Sequence, residues 1–315
     1  MGRPPRAAIT LTCPSLAPEF VAHRVRLGFV VGVQTHFASR KGTLVTDSWI
    51  TPSQKAPTIL DTGVANPARI YDYWLGGKDN FAADREAAEQ VIAVFPGIIP
   101  GVRANRAFLG RAVRYLAGEA GIRQFLDVGT GIPTKDNVHE VAQAVAPESR
   151  VVYADNDPMV LAHARALLTS APEGATSYVQ ADLRDTDNIL RDAAATLDFG
   201  KPIAVTLLMI LMLVENPYDI VARLMDAAPS GSYLVISHPA KDVDTGEQAK
   251  AYERLNERMG ETQGTLRTHA EVAAFFEGLE MVPPGLVQLH RWRPDPPDAD
   301  LSYEVPAYGG MGRKP

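Results

Sequence analysis

The sequence predicts an α/β fold built on a doubly wound, mainly parallel sheet, and three observations predict it. From Gln124 onward short apolar runs alternate with stretches of helical period, the pattern of repeated βαβ units. The first run, Phe125-Leu126-Asp127-Val128, ends in Gly129-Thr130-Gly131, a glycine turn that lets backbone approach a ligand closely. The chain has 315 residues, 46% of them hydrophobic and 22% charged, and one α/β unit absorbs about 250 residues, which leaves room for an extension. Crossovers between parallel strands are right-handed, and ligands bind outside the carboxyl ends of such strands near the switch point.

Residues 1–56 mix Pro, Arg, Thr and Ser without a sustained period and are expected to be a poorly ordered extension, with room for one strand at Leu27–Val33. Asp79 or Asn80 then caps a helix that runs to Phe95, where Pro96 and Gly97 stop it. A second helix spans Val102–Ala117. It turns Phe108, Leu109, Ala112, Val113 and Leu116 to one side and Arg103, Arg106, Arg111 and Arg114 to the other, an arginine face expected to be solvated or paired with carboxylates. Strands follow at 124–128, 150–154, 177–180, 203–209 and 232–237, with helices at about 135–145, 158–169, 186–196 and 218–227. The longest apolar run, Ile203–Val214, falls short of the ~20 residues of a membrane span and reads as a buried strand. Helices at 243–258 and 268–277 precede strand material at Gly278–Trp292, broken by Pro283, Pro284 and Gly285, which can pair with the chain's end as a hairpin.

The formal net charge of -6 gives no positive field for nucleic acid, which is not expected as a partner. Cys13 is the only cysteine, and the seven histidines show no metal-ligand spacing, so no metal site is expected. The N-terminal stretch is interrupted by Pro14, Pro18 and Glu19 and lacks the apolar core of a secretory signal; a cytoplasmic protein without a membrane segment is expected.

A dinucleotide fingerprint would need a small residue three positions after Gly131, where Thr134 stands, and Pro133 disturbs the helix start; an NAD site is disfavoured. The Asp-x-Gly-x-Gly form of Asp127, Gly129 and Gly131 instead resembles the nucleoside-binding loop of class I S-adenosylmethionine-dependent methyltransferases. Asp155 ends the second strand and Asp182 follows the third. An ionised carboxylate has two acceptor oxygens, so Asp155 can hold both ribose hydroxyls and Asp182 can accept from an adenine amino group. Helix capping is the plain alternative for each acid, Asp157 above all.

The resemblance becomes specific upstream. Ala68-Arg69-Ile70-Tyr71-Asp72-Tyr73-Trp74-Leu75-Gly76-Gly77-Lys78-Asp79-Asn80-Phe81, with Asn105-Arg106-Ala107-Phe108, Trp292-Arg293-Pro294 and the ending Tyr308-Gly309-Gly310-Met311-Gly312-Arg313, is similar to an S-adenosyl methyltransferase family widespread in actinobacteria. It covers roughly Asp61–Lys314. It implies a Rossmann-like class I methyltransferase with a seven-stranded sheet whose last strand is antiparallel, an N-terminal helical cap over residues 57–120 and a core over 121–315. S-adenosylmethionine is then the cofactor and a small molecule the methyl acceptor. The expected cofactor contacts are Asp127, Gly129, Thr130, Gly131, Asp155, Asn156, Asp182, Leu183, Met209 and the pair Gly76 and Gly77, which can admit a ligand or hinge. Tyr71, Tyr73 and Trp74 can wall a cleft around a sulfonium or fill core. Relatives often carry a Leu-His pair after the fourth strand where this chain reads Leu211-Met212, so Tyr71, Asp72 and His238 are the candidate bases by position. A non-catalytic sensor of S-adenosylmethionine or S-adenosylhomocysteine is the competing reading.

Overall fold

The computed structural model describes residues 61–167, 169–243, 246–259, 264–296 and 304–315. The expected N-terminal extension and the strand at Leu27–Val33 lie outside the described residues.

The first element is a helix the sequence reading did not anticipate. In α1, Pro67–Trp74, the Asn66 side chain accepts from the amides of Ala68 and Arg69, and Pro67 supplies the fixed φ of a first turn. Asp84, fully buried at the start of α2 (Ala82–Val94), ties the two helices together. Its Oδ1 accepts from the Asn66 amide and its Oδ2 from the Phe81 amide, with Arg69 Nε at 2.9 Å. α3, Ile98–Gly118, then lays Phe108, Leu109, Ala112, Val113 and Leu116 against the sheet.

The sheet follows in βαβ rhythm: β1 Gln124–Val128, α4 Val138–Val145, β2 Arg150–Asp155, α5 Pro158–Leu167, β3 Ala175–Gln180, α6 Thr186–Ala193, β4 Ala204–Leu208, α7 Tyr218–Ala227 and β5 Tyr233–Pro239. After α8 (Glu247–Asn256) and the short α9 (His269–Ala273) come β6 (Glu280–Met281), β7 (Val287–Gln288) and β8 (Ala307–Arg313). Strand order is β3-β2-β1-β4-β5-β8-β6, parallel through β5, with β8 antiparallel to β5. The order reverses between β1 and β4, which makes that gap the switch point. Among the described residues the sheet has eight strands rather than the expected seven. The segment around Pro283 and Pro284 cannot run as one strand, and it yields two dipeptide strands, each antiparallel to β8.

One face of the sheet buries Leu126, Val152, Leu207 and Ile236 under α6, α7 and α9, and the other buries Phe125, Val151, Tyr153 and Val235 under α3 and α4 with Trp292. A third apolar cluster joins α1, α2 and α8 through Ile70, Trp74, Ala88, Val91, Ala251 and Leu255. The arginine face of α3 departs from expectation at one position. Arg111 is only 4% exposed and donates from Nε to Trp292 O at 2.9 Å and from Nη2 to Leu289 O at 2.7 Å, carrying the C-terminal segment, whereas Arg114 does pair with Asp295 at the surface.

The strand reading of Ile203–Val214 also shortens. β4 stops at Leu208 because Met209 turns to φ +53, and Leu211–Leu213 form a 3-10 turn. That turn is held from behind by Arg267, itself buried. Nη1 donates to Leu211 O at 3.0 Å and Nη2 to Val214 O at 2.9 Å and Glu215 O at 3.1 Å, while Nη1 also meets His238 Nε2 at 2.8 Å. A guanidinium only donates, so His238 Nε2 is the acceptor, and Nδ1 carries the proton given to Pro239 O at 2.8 Å. Burial first, then the Arg267 charge, pushes the His238 pKa down to about 4. The folded state therefore binds fewer protons, and this contribution to stability is lost as pH falls from 6.5 toward about 4. Replacing Arg267 by Met removes the side-chain donor from three carbonyls and one imidazole nitrogen, of which Leu211 O keeps the Val214 amide. Urea unfolding of the Arg267→Met variant at pH 7 is expected to show a loss of about 3 kcal/mol; a loss under 1 kcal/mol would show that the turn holds itself.

Candidate functional site

A cleft of about 340 Å³ lies over the carboxyl ends of β1, β2, β3 and β4, with α1, α3 and α8 closing its other side. Its floor is the glycine turn. Gly129 (φ +74) and Gly131 (φ +69) both occupy the left-handed region, but for different reasons. A Cβ on Gly129 would stand 2.3 Å from Ile210 Cγ1, so this glycine lets β1 and the end of β4 touch across the switch point. A Cβ on Gly131 would meet no heavy atom within 4 Å, so this glycine faces open cleft.

The three strand-end acids line the same cleft in three different states. Asp127 is buried. Thr206 donates its hydroxyl to Oδ1, and Thr130, which also lines the cleft, donates from Oγ1 to Oδ2 at 3.2 Å. Burial raises its pKa, against those two hydrogen bonds and the charge of Arg106. Asp155, 8% exposed, accepts the Gly131 amide on Oδ2 and the Asp157 amide on Oδ1, each at 2.9 Å. Burial outweighs both bonds and pushes its pKa up to about 6. Asp182 is forked by Arg184, with Nε to Oδ1 at 2.7 Å and Nη2 to Oδ2 at 2.6 Å, and these bonds hold its pKa down to about 2. Asn156 and Leu183, beside Asp155 and Asp182, also line the cleft.

Met209, a non-glycine residue in the left-handed region, is held there by its amide, which donates to Ser237 O at 3.0 Å and Ser237 Oγ at 3.1 Å. Ser237 Oγ in turn donates to Asn105 Oδ1 at 2.7 Å, Asn105 Nδ2 donates to Tyr71 Oη at 2.8 Å, and Tyr71 Oη donates to Val102 O at 3.3 Å. This chain of bonds carries α1 and α3 onto the sheet. It also commits the Tyr71 hydroxyl, whose pKa burial raises further. Asp72 lines the cleft as well; its Oδ2 accepts from the Asp79 amide at 3.0 Å and Asn80 Nδ2 at 2.8 Å, and burial raises its pKa.

Three expectations change. His238 does not line the cleft, both ring nitrogens are bonded to protein, and it is not a candidate base. Gly76 and Gly77 do not line it either: a Cβ on Gly77 would stand 1.9 Å from Asp72 Oδ1, so Gly77 makes room for that carboxylate, whereas Gly76, at φ +83, would meet no heavy atom within 4 Å. Of the three aromatics, Tyr71 and Trp74 line the cleft, while the exposed Tyr73 hydroxyl bonds Glu89. The sequence reading missed Leu213, Tyr252, Leu255 and Met259, which with Met212 make the far wall. Met212 stands there with its sulfur accepting from Tyr252 Oη at 3.1 Å.

The two glycines separate by experiment. Gly131→Ala carries only the left-handed penalty and is expected to cost about 1 kcal/mol, whereas Gly129→Ala adds the clash with Ile210 and is expected to cost about 2–4 kcal/mol in denaturant unfolding. Equal losses would mean that Ile210 gives way freely.

Residues 53–315 match the family described as S-adenosyl methyltransferase. The chain is similar to a solved DUF574 family protein from Streptomyces avermitilis, at 48% identity and TM-score 0.78 over 81% of this chain and 99% of that one. It is likewise similar to a solved candidate methyltransferase from Thermobifida fusca, at 42% identity and TM-score 0.75 over 83% of this chain and 99% of that one. No curated protein matches it. Because the family match runs through every element described above, and the two solved relatives share both that fold and much of the sequence, this chain belongs to the S-adenosyl methyltransferase family and is an S-adenosylmethionine-dependent enzyme.

Proposed function

We propose that the cleft holds S-adenosylmethionine along the ends of β1, β2 and β3 and that the enzyme methylates a small molecule seated against the α1 and α8 side. The observation that carries this reading is the convergence of Asp127, Asp155 and Asp182 with the Gly129–Gly131 turn on one cleft at the switch point. The residues fit the cofactor: the space beside Gly131 is open, the lining is rich in carboxylates suited to a cation, and apolar Ile132 and Leu183 stand beside the acids. Asp155 would take the ribose hydroxyls, and the Asp182 side of the cleft, with Leu183 and Asn156, the adenine. When bound, the cofactor supplies a methyl group already activated on a sulfonium.

The chain then has to align the acceptor and exclude water. Tyr71, Trp74, Met212, Leu213, Tyr252, Leu255 and Met259 supply an apolar wall for that purpose. Asp72 is the proposed proton acceptor for substrates that must lose a proton. It lines the cleft, and burial strengthens it as a base, whereas the Tyr71 hydroxyl is committed to Val102 and Asn105 and serves position.

A diol needs the ionised form of Asp155. Calorimetry with S-adenosylhomocysteine is therefore expected to show affinity rising about tenfold between pH 5 and pH 7, following the Asp155 pKa of about 6. Linkage runs the other way for the unliganded fold, whose raised Asp155 pKa makes it lose stability as pH climbs from 3.8 toward about 6. In Asp155→Asn the binding should be at least about tenfold weaker and flat in pH. Wild-type binding that is flat over this range would remove Asp155 from the ribose site, and an absence of binding at millimolar ligand would end the cofactor assignment to this cleft.

A further inference from the structure

Among the described residues, the cleft is lined by the carboxylates of Asp72, Asp127, Asp155, Asp157 and Asp182 against two guanidinium groups, Arg106 and Arg184. Arg184 is consumed by its fork with Asp182. Arg106 is different. Its Nη2 donates to the carbonyls of Lys135 and Asp136, both at 2.9 Å, and among the described residues no carboxylate forms an ion pair with it. Those two carbonyls belong to the loop that follows the glycine turn, so the guanidinium is clamped at one nitrogen while Nε and Nη1 have no hydrogen-bond partner among the described residues. Its charge reaches Asp127, on β1, and Tyr71, whereas the Asp182–Arg184 pair follows β3, two strands away in the sheet.

This disposition matches one feature of the methyl donor. S-adenosylmethionine carries two cations, sulfonium and ammonium, and a single anion, its α-carboxylate. An acid-lined cleft accommodates the cations and repels the anion. The planar edge of an arginine already fixed by backbone carbonyls complements that anion with little ordering cost. We propose that Arg106 binds the α-carboxylate of the donor and so selects ligands that keep the amino-acid moiety over adenosyl thioethers that lack it. The inference rests on the cofactor reading above and assigns a specificity-determining residue within it.

Calorimetry on the full chain tests it with two ligands, S-adenosylhomocysteine and 5′-methylthioadenosine, which share nucleoside and thioether but differ in the amino-acid part. The wild type should prefer S-adenosylhomocysteine. Arg106→Gln should weaken S-adenosylhomocysteine about 10- to 100-fold and leave 5′-methylthioadenosine within about twofold of the wild-type value. Equal weakening of both ligands would mean that Arg106 only supports the loop, and unchanged S-adenosylhomocysteine affinity would mean that it touches nothing; either overturns the proposal while the cofactor reading stands. Failure of both ligands to bind the wild type would instead defeat the cofactor reading and the proposal with it. If Arg106→Gln does not fold, as judged by its thermal melt, the α-carboxamide of S-adenosylhomocysteine on the wild-type chain makes the same cut from the ligand's side. A comparable loss is expected, and equal affinity overturns the proposal.

Discussion

The hydrogen bond from the Gly131 amide to Asp155 Oδ2 is the contact on which the site depends, because it joins the turn after β1 to the end of β2 across the mouth of the sheet. A carboxylate that is 8% exposed and answered, among the described residues, by two backbone amides is costly to ionise, which is why its pKa stands near 6. The fold tolerates it because the same group orders two turns at once, Gly131 on one oxygen and Asp157 on the other. Strain gathers at the same place. Gly129, Gly131, Asp136 and Met209 all take positive φ within or beside the cleft, and the latter two are residues for which that conformation is unfavourable.

Met209 shows how such strain is held. Its amide is anchored by both oxygens of Ser237, and Ser237 is the inner end of the path through Asn105 to Tyr71. A helix three elements before the sheet and the tip of β4 are thus parts of one bonded structure. Adjacent residues of α3 divide the work. Asn105, 4% exposed, faces the sheet and transmits position, while Arg106 reaches the loop after the glycine turn. Arg267 does the corresponding task on the far side, fixing the turn that carries Met212 and Leu213 into the cleft wall.

The parts readable from the sequence were those written in local pattern. Five parallel strands followed from short apolar runs between helices, and the strand-end acids followed from where those runs stop. What escaped depended on partners distant in sequence. The helix period puts Arg111 on a face expected to be solvated or paired with carboxylates, but its acceptors Trp292 O and Leu289 O lie in the C-terminal segment and pull it under Trp292. His238 sits at a strand end, as a catalytic group would, and only the arrival of Arg267 shows that its ring is walled in. The α8 contribution of Tyr252 and Leu255 depends on how α8 packs on α1 and α2, which no local period encodes. Two misses were recoverable. Asn66-Pro67 is a helix start that the aromatics after it obscured, and Arg184, two residues after Asp182, was close enough to be weighed as its partner.

The balance of charge in the cleft limits what electrostatics contributes to the reaction. Carboxylates outnumber guanidinium groups along the lining, so the cleft favours a cationic ligand over its neutral counterpart. Methyl transfer to a neutral acceptor discharges the sulfonium. An acidic surround therefore holds the charged reactant more firmly than the thioether product, and it assists capture and release rather than barrier crossing. The rate enhancement then has to come from orientation, for which the structure offers rigid means: a glycine turn locked by Asp155, a β4 tip locked by Ser237, and a wall locked by Arg267. Buried hydrogen bonds that contribute little to recognition are, on this argument, the ones that set the geometry of transfer.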